Sequence, residues 1–317
     1  MKKIQRKDKE ACFHLYGPVP SRRLGYSLGV DIIPFKTCTF DCIYCQLGRT
    51  TDKTIGRKNF FSVAEIIDEI KSILESEKEI DYITFSGSGE PTLNLLLKPL
   101  ISEIKKITSI PVAVLTNGSL LYRPEVREAL LQADLVVPSL DAATPEIFQR
   151  INRPHPSLRL EEIIRGLIDF RREFRGTLWL EIMLVKGLND SPEHLEELKK
   201  ITAKIKPAKI HLNTVVRPPA EASALPLNEE ELHKIKPFFG PACEVAASFK
   251  KSERRTLTKD LQQEILSLIR RRPVTMDDIS RSLGRNPAEV SKALAALLAS
   301  GTIKSVDHQD RTYYEPV

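Results

Sequence analysis

Between residues 24 and 225 the chain alternates apolar, β-branched segments with segments of helical period, and this alternation constrains the fold more than any other feature. The strand-like segments are residues 27–34, 81–86, 111–115, 135–140, 177–185 and 209–216. The helical segments are residues 62–76, 95–107, 124–132, 144–152, 160–174 and 191–205. Strands that alternate with helices form a parallel sheet with right-handed crossovers. The sequence therefore predicts an α/β core with its polar strand-end loops gathered at one edge.

The segments around this core predict a small second domain. Residues 1–23 are expected to form a charged lead-in, and residues 226–256 a short helix followed by a charged linker. Residues 257–317 contain predicted helices at 261–269, 275–284 and 287–299, then a hairpin of residues 301–306 and 311–315. This order of helices and hairpin is typical of a winged helix-turn-helix domain.

The predicted recognition helix of this domain, residues 287–299, carries few of the side chains that read DNA. Base edges are contacted mainly by Arg, Lys, Asn and Gln, and this helix offers Lys292 alone. We therefore expect the domain to dock RNA, a peptide or a partner protein rather than to read a DNA sequence.

The composition is that of a folded protein outside the membrane, since 41% of the residues are apolar and 28% are charged. No window approaches the ~18 uncharged apolar residues of a transmembrane helix. No apolar stretch follows the basic start, so we expect no signal peptide. The net charge of +6 suits an anionic partner, either RNA or an acidic electron-transfer protein. A basic protein without a nucleic-acid partner fits this charge equally well.

Three cysteines, Cys38, Cys42 and Cys45, stand in a C-x3-C-x2-C spacing. Thiolates are soft ligands that suit iron–sulfur clusters, and three of them leave one iron of a [4Fe–4S] cluster open. The alternatives are a zinc site, which prefers four ligands in paired units, or reduced thiols in a loop. Cys12 is a distant ligand or, like Cys243, a buried apolar residue. Five cysteines without a disulfide pattern favour a reducing cytoplasm.

Two further motifs accompany the thiols. Tyr44 precedes the third cysteine, and the second strand ends in Gly87-Ser88-Gly89-Glu90-Pro91. In combination they resemble the radical S-adenosylmethionine (SAM) superfamily, over roughly residues 18 to 220. Members carry the three-cysteine loop after the first strand of a partial (β/α)6 barrel, and a G-G-E-like motif after the second. Residues 17–31 and 41–46 are similar to a group placed near the tRNA wyosine-base synthases.

The resemblance implies a partial (β/α)6 parallel barrel in residues 24–225, followed by the winged helix-turn-helix domain. It also implies two cofactors, a [4Fe–4S] cluster held by Cys38, Cys42 and Cys45, and SAM chelated to the open iron. The positions that match contacts to SAM are Tyr44 for the adenine, Ser88, Gly89 and Glu90 for the amino group, and Asn117, Ser139 and Asp141 for the ribose or carboxylate. The chain departs from many members in having Ser88 where they have glycine, and a small residue still lets the backbone approach.

The chemistry implied by the resemblance is reductive cleavage of SAM to methionine and a 5′-deoxyadenosyl radical. The electron would come from an external one-electron donor of the flavodoxin or ferredoxin type. Lys186 is the candidate catalytic residue. It could form a Schiff base or bind an anion, and the alternative is a plain surface lysine. Other polar residues lie in or just after the later strands, near the expected substrate: Asn189, His211, Asn213 and Arg217. Arg22 and Arg23 contact a phosphate-bearing substrate or lie on the surface.

Three hypotheses for the function remain open at this point. The first is an enzyme that modifies RNA or a nucleotide, with residues 257–317 as the docking domain. The second is an enzyme that modifies a peptide or protein held by the same domain. The third is an iron–sulfur transcriptional sensor that does not cleave SAM. Wyosine synthases carry further upstream cysteines, whereas this chain has only Cys12, so the resemblance does not extend to their substrate.

Overall fold

The structure is a computed structural model that describes residues 14–21, 23–76, 79–245, 261–283, 285 and 287–317. Cys12, Arg22 and the charged linker predicted within residues 246–256 lie outside these ranges. The described residues form a large sheet with helices packed against it, followed by a smaller unit of three helices and a three-stranded sheet.

The large unit begins with β1 (Leu15–Ser21), β2 (Gly25–Val30), β3 (Thr37–Cys38), β4 (Asp52–Lys53), α1 (Val63–Ser76), β5 (Tyr82–Phe85) and α2 (Leu97–Ile107). It continues with β6 (Val112–Thr116), α3 (Pro124–Leu130), β7 (Leu135–Pro138), α4 (Pro145–Ile151), α5 (Leu160–Glu173) and β8 (Thr177–Leu184). It ends with α6 (Pro192–Ile205), β9 (Lys209–Thr214), α7 (Glu229–Ile235) and β10 (Cys243–Val245).

Eight of these strands form one sheet in the order β1-β2-β5-β6-β7-β8-β9-β10. Neighbouring strands pair in parallel from β2 onwards, whereas β1 and β2 form an antiparallel hairpin. The predicted α/β fold with a partial barrel is confirmed, and β2 with β5 to β9 are the predicted strands. Since β1 and β10 are the two edges of the sheet, the barrel is open between them.

The sheet extends beyond the residues predicted for it at both ends. Residues 15–21, expected within the lead-in, form β1, and residues 243–245, expected within the linker segment, form β10. Both strands lie at an edge, where a strand needs only one partner and tolerates proline. Pro18 lies in β1, and the pairing of β1 with β2 is irregular between Tyr16 and Val19.

Alternation along the strands separates the helix-facing side of the sheet from the barrel interior. In β8, buried residues that pack toward the helices alternate with half-buried residues that face the interior. The buried set is Leu178, Leu180, Ile182 and Leu184, and the half-buried set is Trp179, Glu181 and Met183. The helices show the matching period, as in α1, where Ile66, Ile67 and Ile70 are buried.

The smaller unit contains α8 (Leu261–Ile269), β11 (Val274–Thr275), α9 (Met276–Leu283), α10 (Pro287–Ala299), β12 (Ile303–His308) and β13 (Arg311–Pro316). Its strands pair in the order β11-β13-β12, so the predicted winged helix is confirmed. The apolar core of this unit includes Val19 of β1, which joins it to the barrel. Among the described helices of the chain, none has the length and apolar character needed to cross a membrane.

Candidate active site at the carboxyl ends of the barrel strands

The loop that carries the three cysteines leaves the carboxyl end of β2 and is held by backbone hydrogen bonds. The amide of Asp41 donates to the Asn152 carbonyl over 3.0 Å, and that of Ile43 donates to the Ile151 carbonyl over 2.9 Å. The loop therefore runs along the residues that follow α4. This pairing fixes Cys42, which lies between the two bonded amides, at the carboxyl edge of the sheet.

The three thiols are close enough to influence one another electrostatically. Burial raises the pKa of the Cys38 thiol to about 12, and the nearby carboxylate of Glu90 acts in the same direction. Burial also raises the pKa of Cys42 well above its ordinary value, with Cys38, Asp141 and Cys45 adding to the effect. A bound iron–sulfur cluster would lower these pKa values again, because metal binding favours the thiolate.

Each sulfur has a nitrogen donor beside it. The Lys36 ammonium lies 3.2 Å from the Sγ of Cys45. The side-chain amide of Asn117 lies 3.6 Å from the Sγ of Cys38, and that of Asn152 lies 3.5 Å from the Sγ of Cys42. Donors at a thiolate sulfur stabilise its negative charge and tune the potential of a bound cluster. The donor set therefore fits a cluster held by three thiolates.

Within the described residues, no group of three His, Cys, Asp or Glu side chains converges as the ligands of a single metal ion do. The thiolates of a cube-shaped cluster each bind a different iron, so they stand farther apart than the ligands of one ion. Cys243 is fully buried in β10 and belongs to the apolar core, as predicted.

The Ser88-Gly89-Glu90 segment is attached to the cysteine loop by two backbone hydrogen bonds. The amide of Lys36 donates to the Ser88 carbonyl over 2.7 Å, and the amide of Glu90 donates to the Thr37 carbonyl over 3.2 Å. A Cβ atom at residue 89 would collide with the carbonyl oxygen of Thr37, so glycine is required there. This close approach holds the two motifs in one rigid arrangement.

Glu90 is 2% exposed, and its carboxylate is held by donors of the neighbouring loops. Its Oε1 accepts from the amide and hydroxyl of Thr92 and from the hydroxyl of Thr116, and its Oε2 accepts from the amide of Asn117 over 2.7 Å. Burial raises the pKa of Glu90 above its ordinary value, and these hydrogen bonds oppose that shift. Among the described residues Oε2 has one donor, so it can accept a second hydrogen bond from an ammonium group.

On the other side of the thiols, Tyr44 and Asp141 are bonded to each other. The Tyr44 hydroxyl donates to Oδ2 of Asp141, which also accepts from the side-chain amide of Asn152 over 2.8 Å. The amide of Met183 donates to Oδ1 of Asp141 over 2.9 Å. Burial raises the pKa of Asp141 above its ordinary value. The carboxylate thus fixes the orientation of the Tyr44 ring beside Cys42.

Asn117 follows β6, whereas Ser139 and Asp141 both follow β7. Together with Asn152 they line a small cavity of about 10 Å³. Asn152 was missed by the sequence analysis, as was Lys36. Asn152 follows α4 rather than a strand, so the strand-end pattern could not indicate it. The one signal for Lys36 is its position two residues before the first cysteine.

The structure separates the predicted substrate residues into different environments. Lys186 forms an ion pair with Glu231 on the surface, with 2.6 Å between Nζ and Oε1, which favours its interpretation as a surface lysine. Asn189 is fully buried and donates to the carbonyls of Asp141 and Met183, so it connects the ends of β7 and β8.

The remaining candidates lie in the barrel interior. Arg23 forms an ion pair with Glu181, and the side-chain amide of Asn213 donates to the same carboxylate over 2.9 Å. His211 is buried beside them on β9. Arg217 lies after β9 and donates to the side-chain oxygen of Gln46, the residue after Cys45, over 3.3 Å. Of the two arginines considered for a phosphate, Arg23 is therefore directed inward to a carboxylate.

The family model of the radical SAM superfamily matches residues 32–200, which is more than half of the chain. The chain belongs to the radical SAM superfamily. It is therefore an iron–sulfur enzyme whose cofactors are a [4Fe–4S] cluster and SAM, and whose electron comes from an external donor. A second model, the DprA winged helix domain, matches residues 251–307.

The chain is also similar to several curated proteins. A UPF0026 protein of Methanocaldococcus jannaschii is 33% identical over 94% of each chain. A protein of Brachyspira hyodysenteriae named GTPase Obg is 44% identical over 94% of this chain, but this chain spans only 44% of its length. A dual-specificity RNA methyltransferase RlmN of Geotalea uraniireducens is 29% identical over 55% of this chain and 50% of its own.

A solved structure of TYW1, described with a lysine–pyruvate adduct bound, has a similar fold. Its TM-score is 0.53 at 19% identity, and the match covers 67% of this chain and 72% of that chain. At this identity the likeness concerns the fold alone. It supports the partial barrel of this radical SAM enzyme.

Proposed function

We propose that this radical SAM enzyme binds its cluster through Cys38, Cys42 and Cys45 and modifies RNA or a nucleotide. The observation that carries the proposal is the attachment of the cysteine loop to the Ser88-Gly89-Glu90 segment at one end of the barrel. When bound, the cluster supplies an electron to the sulfonium of SAM, which gives methionine and a 5′-deoxyadenosyl radical. A flavodoxin or ferredoxin type of donor in the cytoplasm suits this step.

In this proposal the chain's own residues orient SAM. The Oε2 of Glu90 and the Ser88-Gly89 backbone accept the amino group, and Tyr44 lies against the adenine. Asn117, Ser139 and Asp141 are offered to the ribose or carboxylate of SAM, since they follow β6 and β7 at the carboxyl edge that carries the cysteine loop. Asp141 has a second role, because its hydrogen bond with Tyr44 orients the aromatic ring.

Three observations support RNA or a nucleotide as the substrate class. The chain carries a net charge of +6, which suits an anionic partner such as RNA. A relative of 29% identity is named an RNA methyltransferase. The winged helix offers a docking domain, and the exposed side of α10 carries Lys292 beside Glu289, Leu298 and small residues, so it is poorly suited to reading duplex DNA.

The first experiment tests the cluster and the reaction class. The protein is reconstituted anaerobically with iron and sulfide, then given dithionite and SAM, and 5′-deoxyadenosine is measured by chromatography. We expect Cys42→Ala to lose iron and product. We expect Cys243→Ala, which removes a thiol buried in the core, to keep both. A cluster that forms without SAM binding or cleavage would overturn the proposal and favour the sensor hypothesis.

A second experiment tests the substrate class. RNA from a strain without this gene is incubated with the reduced enzyme and SAM, and its nucleosides are compared by mass spectrometry with those treated with Cys42→Ala. We expect a new nucleoside with the active enzyme alone. If the RNA is unchanged and the protein fraction of the same strain gains a mass difference, the peptide hypothesis replaces this one.

A further inference from the structure

Arg271 of the winged helix reaches the barrel at the end of β2. Its Nε lies 3.5 Å from Oδ2 of Asp31, and the two side chains are 10% and 9% exposed. Arg271 follows α8, whereas Asp31 follows β2 directly, so this ion pair joins the two units of the chain. The charges are largely removed from water, where a missing partner has a large effect.

Asp31 in turn holds the residue that begins the proposed SAM motif. Its Oδ1 accepts from the amide of Ser88 over 3.1 Å, and its Oδ2 accepts from the Ser88 hydroxyl over 2.6 Å. At Gly87 the backbone φ is +146°, and a Cβ there would collide with the Asp31 carboxylate. Asp31 therefore fixes the course of the Gly87-Ser88-Gly89 backbone, with Arg271 behind it.

A second contact supports the same arrangement. The guanidinium carbon of Arg271 lies 4.8 Å from the centre of the Tyr16 ring, and the Tyr16 hydroxyl is 2.6 Å from the hydroxyl of Ser86. The ring lies across Gly29 of β2, where any larger residue would collide with it. Arg271 thus contacts two side chains that each bond to the segment of residues 86–88.

The winged helix is also attached at the other side of the barrel opening. The Tyr313 hydroxyl donates to the Val216 carbonyl over 2.8 Å, and the side-chain amide of Gln309 donates to the Val215 carbonyl over 3.0 Å. These carbonyls follow β9, while Arg271 contacts Tyr16 of β1 and Asp31, which follows β2. The winged helix therefore contacts the carboxyl ends of both β2 and β9.

We propose that Arg271 is a positioning residue for SAM, which acts through Asp31 to hold the Ser88-Gly89 backbone in its binding conformation. This inference rests on the proposed function, in which that backbone receives the SAM amino group. Because coupling between two sites is reciprocal, SAM in turn stabilises the docked position of the winged helix. A substrate that displaces the winged helix would weaken SAM binding by the same factor.

The test measures SAM affinity of the full-length, cluster-loaded protein by equilibrium dialysis. We expect Arg271→Met to weaken SAM binding by roughly five- to 150-fold, the usual range of coupling between sites. At saturating SAM, the rate of 5′-deoxyadenosine formation and the iron content should be unchanged. Arg271→Lys keeps the charge but not the planar stacking on Tyr16, and it should restore part of the affinity.

The matched control is Arg270→Met, because Arg270 is adjacent and exposed. A double-mutant cycle with Asp31→Asn tests whether Arg271 acts through Asp31. If it does, Arg271→Met should weaken SAM binding little further once residue 31 is neutral. Hydrogen exchange of residues 86–90 in the cluster-free protein gives a readout independent of activity, and we expect faster exchange in Arg271→Met.

The outcomes separate the two proposals. If the wild-type protein binds SAM and Arg271→Met matches Arg270→Met in affinity and exchange, the inference on Arg271 is wrong and the proposed function stands. If the wild-type protein does not bind SAM, the proposed function fails first. If Arg271→Met does not fold, Arg271→Gln decides, because glutamine stays polar but removes the charge opposite Asp31; a SAM affinity and an exchange rate equal to those of Arg270→Gln would overturn the inference.

Discussion

Some single residues at the end of the barrel must be glycine, because an added Cβ would collide with a neighbouring backbone. Gly89 is the strongest case, because its backbone lies against the carbonyl of Thr37 in the cysteine loop. Polar residues nearby are constrained by burial instead, and their protonation depends on that burial. These two physical effects lead to separate predictions.

Gly89→Ala should separate the SAM motif from the cysteine loop. The added methyl group forces the backbone apart, and overpacking of this kind costs about 1–3 kcal/mol of stability. We expect a lower unfolding free energy in urea and a loss of cluster incorporation, measured as iron per chain. Gly56→Ala is the control, since a Cβ there makes only an ordinary contact with the Thr54 hydroxyl. Equal iron content in both variants would contradict the close approach.

His211 should make the protein less stable in acid. Burial lowers the pKa of His211 to about 4, with Arg23 acting in the same direction and Glu244 opposing it. Since the unfolded chain binds this proton near pH 6.5, stability is lost as the pH falls from about 6.5 to 4. The measurement is the melting temperature of the cluster-free protein against pH.

His211→Gln should flatten that pH profile, because glutamine does not titrate. A residual slope is expected from His194, whose pKa burial also lowers. A variant whose profile keeps the full slope of the wild type would exclude His211 as its source.

At the scale of helices and strands, close contacts between elements override the intrinsic preferences of residues. Gly166 lies in the interior of α5, where alanine is normally favoured by ~1 kcal/mol. A Cβ there would collide with the backbone of Leu121 and Tyr122. The helix therefore approaches the loop after β6 more closely than any residue with a side chain allows.

Gly166→Ala should consequently destabilise the protein despite its better helix propensity. We expect a loss of about 1–3 kcal/mol in the free energy of unfolding, measured by urea denaturation. Arg165→Ala is the matched substitution on the exposed side of the same helix, and its effect should stay within ~0.5 kcal/mol. A gain in stability for Gly166→Ala would show that the contact relaxes.

The elements also show how much of this fold the sequence could predict. The parallel strands were predictable because each is a β-branched run bounded by polar turns, and the helices because of their period. β1 was missed because the Gly17-Pro18 pair in its interior is unfavourable for a strand away from an edge. β10 was missed because its three residues are too few to show the alternation of a strand.

From the sequence, candidate site residues could be proposed only where they lie in compact motifs or at the ends of predicted strands. The cysteines, Tyr44 and the Ser88-Gly89-Glu90 segment form compact motifs, so spacing identifies them. Asn152 and Arg271 reach the site from distant segments, and only the folded chain brings them to Cys42 and Asp31. Lys186 was proposed from its strand-end position, which does not determine the direction of a long side chain, and in the structure it pairs with Glu231.

At the scale of the whole molecule, the barrel and the winged helix should respond together to SAM. A ligand at 100 times its dissociation constant stabilises the folded state by about 2.7 kcal/mol. We expect SAM to raise the melting temperature of the cluster-loaded protein and to leave that of the cluster-free protein nearly unchanged, because chelation to iron is needed. Calorimetry of both forms with and without SAM measures this difference. An equal shift in both would place SAM binding outside the cluster site.

The packing of Val19 into the core of the winged helix has a consequence for biosynthesis. A strand made near the beginning of translation receives its final apolar partners only after residues 261–303 have emerged from the ribosome. At about 5–20 residues per second, that interval lasts many seconds. During this interval the hairpin of β1 and β2, which lies next to the cysteine loop, is not yet covered by the winged helix. Chaperones therefore encounter a nascent chain in which the β1–β2 hairpin is made early and covered late.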